Sequence, residues 1–160
     1  MKFLELDRKN LKKAISIGIR CFPREQENKY LKIYYNDYVR GKCSEPFIRY
    51  YLVYVSGRPA GITGFYTLDK KTTTAWLGWF GVVPERRRHG LGSAMLAQTM
   101  KAAKKCGFKK MKLWELTEEA SKFYRKNKFK KTKGNRTVFI SRKNAYELPE
   151  AAKFYARSLG

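Results

Sequence analysis

The residues with the clearest chemical purpose run from Val82 to Ala94: Val-Val-Pro-Glu-Arg-Arg-Arg-His-Gly-Leu-Gly-Ser-Ala. An apolar stretch from Trp76 to Val83 meets Pro84. Arg86, Arg87, Arg88 and His89 follow, then Gly90 and Gly92 one residue apart, then a helical pattern. Glycines let backbone approach a ligand closely and accept φ > 0. The unpaired N–H groups of a helix's first turn favour an anion at its start. Arginines add charge-assisted hydrogen bonds. This is chemistry for a diphosphate, and it implies a nucleotide-like cofactor.

The glycine spacing narrows the choice. A dinucleotide fingerprint needs G-x-G-x-x-G, and residue 95 is Met. The G-x-x-x-x-G-K-[ST] loop of nucleotide hydrolases is absent as well. Further along, Ala120, Phe123, Tyr124 and Asn127 stand at i, i+3, i+4 and i+7, the spacing of any core-facing helix. That helix, about one helix and one strand further on than the glycines, carries a phenol, Tyr124.

Several elements must position these groups. Met1 to Leu6 reads as a strand. Asp7 is placed to cap a helix with Leu11, Ala14, Ile15 and Ile19 on one face, which Cys21-Phe22-Pro23 ends. Leu31, Tyr34, Tyr35 and Tyr38 mark a second helix. Phe47–Val55 and Ala60–Leu68 read as strands around Ser56-Gly57-Arg58-Pro59, a hairpin signal. After the polar turn 69–72, Trp76–Val83 reads as one central, buried strand. Leu91, Met95, Leu96, Met100 and Ala103 line the next helix, closed by Cys106-Gly107. Lys109–Leu116 is a strand with lysines at 110 and 112. Thr117 opens a helix whose first turn carries Glu118 and Glu119, matching its dipole. Lys128–Lys133 and Thr137–Ser141 read as a last hairpin around Gly134-Asn135, and Pro149 as the start of a short final helix.

At 160 residues, with 43% hydrophobic and 15% aromatic residues, the chain is expected to form a single domain, 1–160, with a real core. No run of eighteen apolar residues exists, so no membrane partner is expected, and the first residues do not read as a signal peptide. Three widely spaced cysteines suit a reducing cytoplasm. A single histidine excludes a multi-histidine metal site, and no metal is expected. The net charge of +23 is high. Residues 101–143 hold 16 Lys and Arg against 3 Glu. A polyanionic partner (RNA, DNA or a ribosome), an acidic substrate, or a plain solvated basic surface would each account for it.

Arg87-x-x-Gly90-x-Gly92, preceded by Val82-x-Pro84, resembles the R-x-x-G-x-G acetyl-CoA motif of the GNAT N-acetyltransferase superfamily. Leu113 to Phe129 is similar to that family's strand followed by N-x-x-A-x-x-F-Y-x-x-x-G-F. Together the two motifs span Trp76 to Phe129. The resemblance implies an α/β (α+β) fold, a mixed and strongly twisted sheet with helices on both faces. It implies transfer of an acetyl group from acetyl-CoA to a primary amine by direct attack. A basic nucleic-acid- or ribosome-associated module, or a non-catalytic acyl-CoA sensor, would use the same scaffold.

The resemblance also implies roles. The pyrophosphate would sit on backbone N–H groups across Arg87, Arg88, His89, Gly90, Leu91, Gly92 and Ser93. The pantetheine arm would lie along Phe80, Val82 and Val83 as an added strand, with the Val82 N–H polarising the acetyl carbonyl. Tyr124 would protonate the departing thiolate, being protonated at neutral pH with an ordinary pKa of about 10. Thr117, where the family often has Asn, would bond a pantetheine amide. Lys128 stands where the family has Gly. Many members carry a glutamate on the strand entering the loop, but residues 75–84 hold no carboxylate. Glu115, Glu45 and a water chain all stay open as the base. Phe22, Tyr30, Tyr34 and Tyr35 are candidate acceptor walls. The acceptor's identity and homodimerisation stay open too. A polyamine fits a +23 chain poorly; a protein amine, or an amine bearing an acidic group, fits better.

Overall fold

The computed structural model describes residues 1–134, 137–141, 144–148 and 150–160, with no side-chain description over 135–147. Strand β1 (Lys2–Glu5) leads into α1 (Leu11–Cys21) and α2 (Glu25–Val39). Strands β2 (Phe47–Val55), β3 (Arg58–Thr67), β4 (Thr74–Leu77) and β5 (Gly81–Val82) follow. A short 3-10 turn at Pro84–Arg86 precedes α3 (Leu91–Lys105). Then come β6 (Lys110–Glu115), α4 (Glu118–Lys126), β7 (Lys130–Thr132), β8 (Thr137–Ser141), β9 (Asn144–Glu147) and β10 (Lys153–Ser158).

Eight strands form one sheet in the order β1-β2-β3-β4-β6-β10-β7, with β5 also paired to β3. Its pairs are antiparallel except β4 with β6, which are parallel and joined by the crossover through α3. Strand alternation divides the apolar side chains between two cores. Tyr50, Leu52 and Ile62 pack under α1 and α2 with Ala14, Ile17, Leu31 and Tyr35. Phe65, Leu77, Met111, Leu113 and Tyr155 pack under α3 and α4 with Leu96, Ala103 and Tyr124. Helices therefore cover both faces of a mixed sheet, as the resemblance implied.

Several expectations change. Asp7 does not cap α1; its Oδ1 accepts from the N–H groups of Lys9 and Asn10, and Asn10 stands at the N-cap. The buried face of α1 then turns to Ala14, Ile17, Gly18 and Cys21, leaving Ile15 and Ile19 half-buried. The stretch Trp76–Val83 is not one strand but two, interrupted at Gly78–Phe80. The last hairpin is repartnered: β7 pairs with β10, while β8 pairs with β9 and lies against α2. Asn135, Arg136, Arg142, Lys143 and Pro149 lie outside the described residues, and the chain ends in a strand, β10, rather than a helix.

The interruption has a visible cause. Between the β3–β4 and β3–β5 pairs the second strand carries one extra residue. A Cβ on Gly78 would overlap the Tyr50 hydroxyl and crowd the Tyr66 ring, so only glycine passes there. Trp79 then takes a left-handed φ of 46° and packs edge-on to Phe22 at 5.5 Å. A bulge of this kind bends a strand and re-aims its side chains.

Candidate active site

The parallel β4–β6 ladder stops at Trp76 opposite Lys112. Beyond it β5 stays with β3, while β6 runs on to Glu115 beside β10. The two strands part, and a gap opens between them. Val83 donates its N–H to Ala60 O at 3.0 Å. Alternation along the strand therefore turns the N–H of Val82 away from β3, towards the gap. The Val82 carbonyl on that side accepts from Arg87 Nε at 2.9 Å, so the N–H is the group left for a ligand.

The loop at the end of β5 leads straight into α3. Arg88 and Gly90 have φ of 66° and 77°, and Gly90 is the N-cap of α3. Ala94 is the first residue to bond back, its N–H donating to Gly90 O at 3.1 Å. The N–H groups of Leu91, Gly92 and Ser93 thus form an open first turn with the positive end of the helix dipole behind them. His89 is exposed; Leu91 and Ser93 are half-buried. Gly92 has ordinary helical backbone, but a Cβ there would lie 3.3 Å from the Phe123 ring.

The arginines divide. Arg87, the motif arginine, is exposed but folds its guanidinium back onto the backbone: Nε bonds Val82 O and Nη2 bonds Cys21 O at 3.0 Å. Its guanidinium bridges β5 to the end of α1. Arg20 and Glu85 pair across the same junction. Arg88 is exposed, 3.9 Å from an equally exposed Glu119. Arg87→Lys is expected to cost about 1–2 kcal/mol in urea unfolding, because an ammonium on one stem does not span both carbonyls. A stability equal to the parent's would show that the bridge contributes nothing.

On the other side of the gap, α4 begins at Thr117, whose Oγ1 accepts from the Ala120 N–H at 3.2 Å. Tyr124 is buried between Phe80, Phe123 and Phe129, with ring centroids 6.4, 5.1 and 5.7 Å away. Burial, and then the Glu115 carboxylate, push its pKa above the ordinary phenol value. Phe80 stacks on Phe123 at 5.9 Å, closing the floor of the gap.

The two candidate carboxylates differ sharply. Glu115 is buried with both oxygens engaged: Oε2 accepts from the Thr117 N–H at 2.6 Å and Oε1 from the Ser121 hydroxyl. Ser121 accepts in turn from the Tyr155 hydroxyl at 3.0 Å. Glu115 thus fixes the start of α4. Glu45, in the loop before β2, is also buried, and its Oε1 accepts from the Tyr34 hydroxyl. Its Oε2 has no partner among the described residues. Burial raises its pKa, partly offset by the Tyr34 hydrogen bond. Tyr34 packs edge-on to Tyr50 at 5.7 Å, and the Tyr50 hydroxyl is the group that sits against Gly78 at the bulge.

Of the candidate acceptor walls, Phe22 reaches the bulge through Trp79, whereas Tyr35 is fully buried in the core. The sequence placed Trp79 and Lys112 only as strand positions; the structure puts Trp79 at the bulge and Lys112 on the last rung of the β4–β6 ladder. Gly78 inside an apolar strand was the available signal for the first. Among the described residues no three His, Cys, Asp or Glu side chains come together as a metal site, and no helix is long and apolar enough to cross a membrane.

Comparison with known proteins places this geometry. Residues 12–129 match the family model described as Acetyltransferase (GNAT) family. No curated protein matches the chain. Among solved structures, a GNAT-family protein from Desulfovibrio desulfuricans superposes with a TM-score of 0.75 at 14% identity, covering 99% of both chains. The PaiA N-acetyltransferase of Thermoplasma acidophilum, solved with coenzyme A, gives 0.72 at 16% identity over 98% of both. The ribosomal-protein-S18-alanine N-acetyltransferase of Escherichia coli gives 0.68 at 17% identity, over 99% of this chain and 94% of its own.

Proposed function

Since the chain belongs to the GNAT acetyltransferase family, we propose that it transfers the acetyl group of acetyl-CoA to a primary amine by direct attack at the gap between β5 and β6. The observation that carries this is the open first turn of α3, presented by a left-handed Gly90 at the mouth of that gap. The residues fit the cosubstrate. Backbone N–H groups of Leu91, Gly92 and Ser93 are three donors for a diphosphate. Phe80, Val82 and Val83 offer a strand edge to an extended amide arm. Acetyl-CoA supplies, when bound, an acetyl group activated as a thioester.

The chain's own groups do the rest. The Val82 N–H polarises the carbonyl as a single-donor oxyanion site. Burial raises the Tyr124 pKa, so the phenol is protonated at neutral pH, and its O–H is the donor assigned to the departing sulfur as charge develops there. The amine must arrive neutral. Glu115 is occupied in holding α4, so the amine proton is assigned to Glu45, whose Oε2 has no partner among the described residues. A raised carboxylate pKa brings its basicity closer to the task.

Thermal unfolding with and without acetyl-CoA, followed by thiol release with a panel of amines, tests the reading. A rise in Tm at saturating acetyl-CoA and turnover of at least one primary amine are expected. No Tm shift would overturn it. Glu45→Gln keeps the Tyr34 contact and is expected to lower kcat/KM about a hundredfold with loss of the acidic limb of the pH profile. It also has a stability signature. A carboxyl whose folded pKa lies above its ordinary 4.5 binds its proton more tightly when folded. Its stabilising contribution is complete below pH 4.5 and is lost as pH rises through the folded value. Glu45→Gln should therefore gain relative to the parent on going from pH 4 to pH 8.

A further inference from the structure

Helix α3 starts at the gap and ends, about 20 Å away, at Lys104 and Lys105. The turn that follows it, 106–109, meets the connection between β3 and β4, where Lys109 donates its N–H to Thr73 O at 2.8 Å. Lys70 and Thr72 of that connection line one shallow hollow with Cys106, Gly107 and Phe108 of the turn. The end of the sheet away from the gap therefore gathers Lys70, Lys71, Lys104, Lys105 and Lys109 on a single rim, and all five are exposed.

The charge of this rim is not spent within the protein. None of the five lysines is ion-paired among the described residues. Asp69, the carboxylate of the β3–β4 connection, uses Oδ1 to hold the turn, accepting from the Lys71 N–H at 2.8 Å. Lys104 and Lys105 offset the C-terminal dipole of α3. Lys70, Lys71 and Lys109 have no such duty.

The makeup of the rim selects its partner. Protein interfaces are depleted in lysine and have an apolar centre. A membrane surface is entered by apolar side chains, and Leu68 is the one large apolar residue exposed in the connection or the turn. Lysines on flexible stems suit phosphates, which take a point charge from many directions. A turn and a helix C-terminus do not enter the major groove of DNA as a helix or a ribbon does. The minor groove of an A-form duplex is wide and shallow, and it presents phosphates and 2′-hydroxyls at its surface. Thr72 and the exposed Thr73 stand among the lysines, and their hydroxyls both donate and accept.

We propose that this rim docks duplex RNA by its phosphates and 2′-hydroxyls. Docking there leaves the gap open to acetyl-CoA, so the inference is independent of the transfer reaction.

Fluorescence anisotropy with a labelled RNA duplex of about 16 base pairs tests it. Binding is expected at about 50 mM salt, weakening towards about 200 mM with a log–log slope near −4. Changing Lys71, Lys105 and Lys109 together to Gln should weaken it at least tenfold and make that slope shallower by about 3. The same three changed to Glu should abolish it, with circular dichroism and the Tm shift by acetyl-CoA unchanged. Lys12→Glu, Lys13→Glu and Lys29→Glu together alter the net charge equally on exposed positions of α1 and α2 and should leave binding within about threefold. Absence of binding at low salt would overturn the inference. So would equal weakening by the α1 and α2 changes, displacement of RNA by acetyl-CoA, or binding at least as tight to a DNA duplex or to phosphatidylserine vesicles.

Discussion

Gly90→Val is expected to weaken coenzyme A binding by about two to four orders of magnitude. The position has φ of 77°, a conformation closed to a β-branched residue, yet no atom lies within 4 Å of where its Cβ would stand. Sterics with neighbours are thus not the obstacle; the backbone itself is. The valine must leave the left-handed region, and the first turn of α3 rotates with it. Two or more charge-assisted hydrogen bonds to the diphosphate, at roughly 1.5–3 kcal/mol each, are lost or misaimed. Gly92→Val acts differently. Its backbone is ordinary, and the added methyls press on Phe123 at the edge of the gap. It should weaken binding less and disturb the Phe80–Phe123 stack more. Calorimetry with coenzyme A, with circular dichroism as the fold control, checks both. Parent-like binding by Gly90→Val would remove the diphosphate from this loop.

Tyr124→Phe is expected to reduce kcat about a thousandfold while leaving coenzyme affinity within a few-fold of the parent. The ring is held by Phe80, Phe123 and Phe129, so its packing survives loss of the hydroxyl. The deficit should shrink when the leaving group needs no proton. An acetyl donor with a strongly acidic thiol makes that comparison. A variant equally slow with both donors would point to a structural defect, and an unimpaired one would end the acid assignment.

Much of this was readable because it is local. Gly90, the helix start after it, the Thr117 cap and the dense β2–β3 hairpin all follow from neighbours in sequence, and each stands where expected. What failed is non-local. The break after Leu77 depends on Tyr50 and Tyr66 arriving from β2 and β3 to occupy the space beside Gly78. The contact of Arg87 with Cys21 O, 66 residues away, has no signal in the neighbouring sequence. Glu115 and Glu45 were indistinguishable as letters; Ser121 and Thr117 on one side, and Tyr34 on the other, separate them. Repartnering of β7 with β10 turns on the chain's last strand, whose short alternation carried no turn signal of its own.

The parallel seam between β4 and β6 also orders events in time. Every antiparallel neighbour of β3 can zip from a short connection, but β6 reaches β4 only after the loop and the whole of α3 have folded back across the sheet. Contacts of such long sequence separation form late in folding, since chain closure costs entropy before they add stability. The gap exists only once that seam has closed and stopped at Lys112. A ligand bound there clasps a joint that closes only after α3 has folded back across the sheet. Coenzyme A should consequently act as a brake on unfolding, lengthening the lifetime of the native chain while leaving its rate of formation nearly untouched.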